Sequence, residues 1–128
     1  MKTVNQYSQK ILNQLWELAA SNDHHYKLDK APNIYMPLTI EIIEKNQLSL
    51  CHYGEQNGDL MRDPEMVFYK NQTAEFSPIY FRNDYLGVEE FSVRIDGGSF
   101  ACDEALQKEH TEFADMWIKN IGIQQELE

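Results

Sequence analysis

The sequence predicts an α+β fold: an antiparallel sheet of about five strands, flanked by one helix at the N-terminus and one at the C-terminus. Three observations predict it. Apolar residues recur at spacings of three and four near the start of the chain and again after position 103. Between these stretches, short runs alternate apolar with polar residues, the period of a half-buried strand. Asn57-Gly58 lies between two such runs, and this dipeptide accepts the positive φ angles that a tight hairpin turn demands.

The first helix carries Val4, Tyr7, Ile11, Leu15 and Leu18 on one stripe, widened by Leu12, Trp16 and Ala19. Thr3 and Gln6 have capping-box spacing, so the helix is expected to begin near Thr3. It should stop at Ser21-Asn22-Asp23, whose side chains compete for backbone hydrogen bonds. Residues 22–34 read as a polar connection. Its His24 and His25 are neighbours with no third ligand nearby, so no metal site is expected there.

The sheet is expected to start at Pro37, which lacks an N–H and suits a strand end or edge. Leu38, Ile40 and Ile42 share a face. Glu44 to Gln47 turns the chain, and Leu48, Leu50 and His52 return on one face. After Asn57-Gly58 a strand from about Leu60 to Lys70 is interrupted at Pro64, where a bulge or break is expected. Met66 and Phe68 resume the inward face. Pro78 to Phe81 is read as a short strand, and Leu86 to Ile95 as the last, with Phe91, Val93 and Ile95 on one side. Gly97-Gly98 breaks the pattern. A second helix from about Asp103 bears Leu106, His110, Phe113, Trp117 and Ile121, with Gly122 as its expected C-cap. With no linker, repeat or low-complexity tract, residues 1–128 are expected to form a single domain.

The chain has 21 acids against 11 bases, a net charge of −10. That balance disfavours direct contact with nucleic acid or an anionic membrane, both of which require clustered Lys and Arg. It suits a basic protein partner or simple solubility. The opening residues lack the apolar run of a secretory signal, and the two cysteines have no CxxC spacing, so reduced thiols in the cytoplasm are expected. The final Leu127-Glu128 resembles a cloning remnant and is left out of the functional argument.

The densest polar segment runs from His52 to Glu65. Its His52, Tyr53, Glu55, Asn57, Asp59, Arg62, Asp63 and Glu65 form the candidate binding surface. Carboxylates at this density can serve a hard cation or acid–base chemistry. The spacing fits no EF-hand, however: Gly58 falls at the fourth position and no Glu closes the loop. On a two-residue hairpin Glu55 and Asp59 belong to neighbouring pairs and project to opposite faces, and Arg62 is expected to pair with Asp59 or Asp63. No metal and no cofactor is therefore expected. No catalytic residue is assigned either: the serines lack a nucleophile elbow, and Cys51 and His52 point to opposite faces.

The run Tyr35-Met36-Pro37-Leu38 with Glu41, then Leu48-Ser49, His52-Tyr53, Glu55 to Asp59, Asp63 to Met66 with Phe68, and Asn83-Asp84 with Leu86-Gly87, resembles a family of small uncharacterised bacterial proteins. The resemblance covers roughly residues 33–90. It implies a context of plasmids, conjugative elements and prophages, where small acidic proteins act as accessory factors or as inhibitors of nucleic-acid-binding host proteins. It implies no site residues. The function expected first is a non-enzymatic acidic protein-interaction module. Two alternatives are a metal-assisted hydrolase on Glu55, Asp59, Asp63 and Glu65 with His52 as base, and a small-ligand binder with a pocket between sheet and helices lined by Tyr53, Tyr80 and Tyr85.

Overall fold

A computed structural model describes residues 1–128. Helix α1 (Gln6–Ala20) is followed by strands β1 (His25–Leu28), β2 (Leu38–Glu44), β3 (Gln47–Gln56), β4 (Asp59–Lys70), β5 (Phe76–Asn83), β6 (Val88–Phe91), β7 (Val93–Asp96) and β8 (Ser99–Cys102), then helix α2 (Glu104–Gln124). Strands β1 to β6 form one antiparallel sheet in chain order, and β7 and β8 form a separate hairpin. The α+β class and the two terminal helices agree with the sequence. The main sheet has six strands rather than about five.

Both helices lie on the same face of the sheet. Ile11, Leu12, Leu15 and Ala19 from α1 and Ala114, Trp117, Ile118 and Ile121 from α2 pack with Leu38, Ile40, Leu48, Leu50, Met66 and Phe68 in one core. Strand alternation produces this layer, because each of these sheet residues is two positions from the next on its strand. Burial of apolar side chains at this density is the main driving force for the fold.

Several boundaries differ from expectation, each for a local reason. Helix α1 begins at Gln6, not near Thr3, because Asn5 is the N-cap and its side chain accepts from the Ser8 amide at 2.8 Å. The 22–34 connection contains β1, a sheet edge in which Tyr26 and Leu28 reach the core and pair with Ile40 and Leu38. The expected last strand is two: at Ser92 the chain leaves the sheet, its N–H donating to Ile79 O and its C=O accepting from Asp103 N. Gly97 and Gly98, both with positive φ, then turn the β7–β8 hairpin. Gly122 is not the C-cap. Helix α2 runs past it to Gln124, and a Cβ at 122 would collide with the Tyr7 hydroxyl, so close helix packing explains this glycine.

The hairpin of β3 and β4 follows the sequence closely. Asn57 and Gly58 have φ of 52° and 85°, and Gln56 pairs with Asp59 and Glu55 with Leu60. The irregularity foreseen at Pro64 is present as a register shift, since Cys51 faces Glu65 but Tyr53 faces Arg62. A second bulge interrupts β5. Val67 faces Tyr80 while Phe68 faces Pro78, which leaves Ile79 as the extra residue.

Candidate functional sites at the hairpin end and outer face

The segment from His52 to Glu65 is divided by the sheet. His52 points inward, buried beneath α2, where its Nδ1 accepts from the Trp117 indole N–H at 3.4 Å and its Nε2 has no partner. Burial lowers its pKa, and the charge of Asp63 opposes this only in part. Tyr53, Arg62 and Glu65 face the opposite, outer side with Ser49 and Cys51. Ser49 Oγ donates to Glu65 Oε2 at 2.7 Å, and Arg62 Nε lies 3.4 Å from Glu65 Oε1. Arg62 thus pairs with Glu65 rather than with Asp59 or Asp63. Asp63 accepts from Asn83 Nδ2 at 3.0 Å. Burial first, then the Glu65 charge, pushes the Cys51 thiol up to about 12, which makes it a poor nucleophile.

Glu55 and Asp59 stay at the hairpin tip, exposed and without a side-chain partner. The carboxylates of the segment therefore do not converge on one another or on His52, and no group of three or more His, Cys, Asp or Glu side chains is placed to hold a metal ion.

The loop 83–87 folds back on this hairpin and braces it. Asp84 is the hub. Its Oδ2 accepts from the Arg62 amide at 2.8 Å, its Oδ1 from Arg82 Nε at 2.8 Å, and its own N–H donates to Arg62 O at 2.9 Å. The Arg62 amide, and then the Arg82 guanidinium, hold this carboxyl below its usual range. Tyr85 donates to Glu55 O at 3.3 Å and lays its ring over Gly54, where a side chain would strike it. On this braced end Leu60 and Leu86 are 71% and 72% exposed, with Tyr53 and Tyr85 also exposed. Sequence reasoning selected the hairpin but not its brace, because Asp84 meets Arg62 only through tertiary hydrogen bonds.

A second feature lies on the outer face. The β7–β8 hairpin sits over it, held by Ser92, by edge-on packing of Phe100 against Tyr69, and through Gln107, whose Oε1 accepts from Cys102 Sγ at 3.3 Å while its Nε2 donates to Pro78 O at 3.0 Å. Beside the hairpin runs an open groove of about 440 Å³ floored by Val67 and Ile79 and walled by Tyr80, Phe91, Val93 and Ile95, with Glu65, Arg94, Gln47 and Ile43 at its borders. This groove lies on the sheet face away from the helices, not between sheet and helices where a ligand pocket was expected. Of the three expected tyrosines only Tyr80 lines it. Phe91, Val93 and Ile95 do share one side, as their alternation predicts, but that side is this groove. Tyr80 donates to Glu89 at 2.6 Å, and burial followed by this bond pushes its phenol up to about 12.

A family model described as a domain of unknown function (DUF6908) matches residues 6–127. The chain belongs to the DUF6908 family. Membership of an uncharacterised family agrees with the resemblance read from residues 33–90, and the match extends it through both helices to Leu127. That residue, set aside in the sequence, packs against the core and donates its N–H to Gly122 O at 2.9 Å. No curated protein and no solved structure matches this DUF6908 chain. No helix in it is long and apolar enough to cross a membrane.

Proposed function

We propose that the chain is a non-enzymatic protein-interaction module that presents the hairpin end of its sheet to a basic protein partner in the cytoplasm. The observation that carries this reading is the exposure of Leu60 and Leu86 on turns that hydrogen bonds hold in place. With the exposed Tyr53 and Tyr85 they make an apolar and aromatic surface on one ordered end, and exposed apolar patches with tyrosines among them mark protein-interaction sites. Glu55 and Asp59 beside them are free to meet basic side chains, and the net charge of −10 would steer such a partner in. A protein with a nucleic-acid-binding groove has the required charge. That fits an accessory factor or inhibitor of a host nucleic-acid-binding protein, the role the resemblance implied. The metal-assisted hydrolase finds no support in carboxylates that lie apart.

The test is a pull-down from the source organism read by mass spectrometry, with the unaltered chain, a Leu60→Ser/Leu86→Ser variant and a Glu55→Gln/Asp59→Asn variant. All four positions are exposed, so the variants should fold. A basic protein captured by the unaltered chain and lost by both variants is expected, with affinity that falls as salt rises from about 50 to 300 mM. Capture that neither variant weakens, or that ignores salt, would refute the proposal.

A further inference from the structure

We infer that the groove on the outer sheet face binds a small amphipathic carboxylate, with its apolar body on Ile43, Tyr80, Phe91 and Ile95, above the buried Val67, Ile79 and Val93, and its carboxylate on Arg94. This site is separate from the hairpin end and does not depend on the reading given to that end.

The volume, about 440 Å³, lies within the range of small-molecule sites, and seven of the ten lining residues are hydrophobic. At the roughly 30 Å³ that one water molecule occupies, the groove has space for on the order of 15 non-hydrogen atoms. The helices do not cover this face, so the apolar floor is not part of the main core. Val67, Ile79 and Val93 form their own small cluster, with Tyr69, Tyr80 and Ile95 packed around it.

Charge decides which end group the groove accepts. The chain has three arginines. Arg62 is paired with Glu65, and Arg82 with Asp84 and Glu89. Arg94 has no carboxylate partner, in a chain with nearly twice as many acids as bases. Its guanidinium instead lies over the Phe91 ring, 4.5 Å from the centroid. Stacking on an aromatic face leaves the N–H edge of a guanidinium open, the geometry that takes a carboxylate through two parallel hydrogen bonds.

The groove's other charge is already satisfied. Glu65 is 19% exposed, one oxygen holding the Ser49 hydroxyl at 2.7 Å and the other facing Arg62 at 3.4 Å. The Tyr80 hydroxyl is committed to Glu89. A cationic ligand would therefore find no free anion in the lining, while an anionic one finds a free cation. The Gln47 side chain has no hydrogen-bond partner within the protein and borders the same space, so it can take a second polar atom of the ligand. The overall negative charge works against an anion, so affinity should hold or rise as salt screens that field. This is the opposite salt dependence to that of a basic partner at the hairpin end.

The experiment is a calorimetric titration of the full chain with decanoate, decylammonium and decanol, each below its micelle concentration. Arg94→Gln serves as the variant, and a thermal melt confirms its fold. Saturable one-site binding of decanoate is expected, tighter than that of decylammonium. Arg94→Gln should weaken decanoate about tenfold or more while leaving decanol unchanged, the loss of a charge-assisted pair. Absence of saturable decanoate binding, equal or tighter binding of decylammonium, or a decanoate affinity that Arg94→Gln leaves intact would overturn the inference.

Discussion

His52 should make the stability of this fold depend on pH just below neutrality. The ring is 8% exposed on the inner face of β3, set edge-on to Trp117, with one nitrogen occupied as an acceptor and the other unpartnered. Burial lowers its pKa from 6.5, because a charged imidazolium would sit among apolar groups with no counterion in contact. The folded chain therefore holds the ring neutral, while the unfolded chain takes up a proton near pH 6.5. Stability from this residue is complete above that pH and is lost as the pH falls below it, until the folded ring itself titrates. The slope approaches about 1.4 kcal/mol per pH unit only well below pH 6.5, where the unfolded ring is fully protonated, so a drop from about pH 6.5 to 5.5 should cost up to about 1 kcal/mol. Urea unfolding followed by tryptophan fluorescence at about pH 7.5, 6.5 and 5.5 measures it, in the native sequence and in His52→Gln. Glutamine keeps an acceptor near the indole but does not titrate, so the variant should show a shallower slope across the same window. A native chain with one urea midpoint throughout, or a variant with an undiminished slope, would refute the reasoning.

Three further outcomes test other parts of the structure. Gly58 holds φ at 85°, so Gly58→Val should lower stability by roughly 1–3 kcal/mol, and an unshifted urea midpoint would count against the turn. Gly54→Ala places a methyl group against the Tyr85 ring; it should destabilise the native chain by about 1 kcal/mol or more but cost much less in a Tyr85→Ala background, a coupling that a double-mutant cycle detects. Cys51 is buried with its thiol pushed up to about 12, whereas Cys102 is exposed, so a thiol reagent at about pH 8 should label one cysteine quickly and the second only on unfolding.

What could be read from the sequence was whatever repeats or punctuates. The stripes of α1 and α2, the inward sets Leu38/Ile40 and Leu48/Leu50/His52, the Asn57-Gly58 turn and the irregularity at Pro64 all leave local marks. Strand β1 does not, because an edge needs only Tyr26 and Leu28 to face the core, too few residues to show a period. The division at Ser92 was hidden for the opposite reason: Phe91, Val93 and Ile95 alternate without a break, yet the Ser92 backbone bonds to Ile79 and Asp103, far away in sequence. The hairpin segment looked like one site. A sheet has two faces, and alternation sent His52 to one side and Glu65 to the other. The brace at Asp84 and the groove beside β7 depend on residues that meet only after folding.

The sheet tapers. Its strands in order have 4, 7, 10, 12, 8 and 4 residues, so the two longest lie in the middle and each border is a single short strand. An open sheet invites other chains to add strands along its rims, and brief, charged rims are a recognised defence. Here β1 carries Lys27, and β6 carries Glu89 and Glu90. An incoming strand would gain at most about four ladder bonds at either border before running out of template. The protein should therefore stay dispersed at high concentration, and a partner gains more from its faces and its protruding end than by extending the sheet.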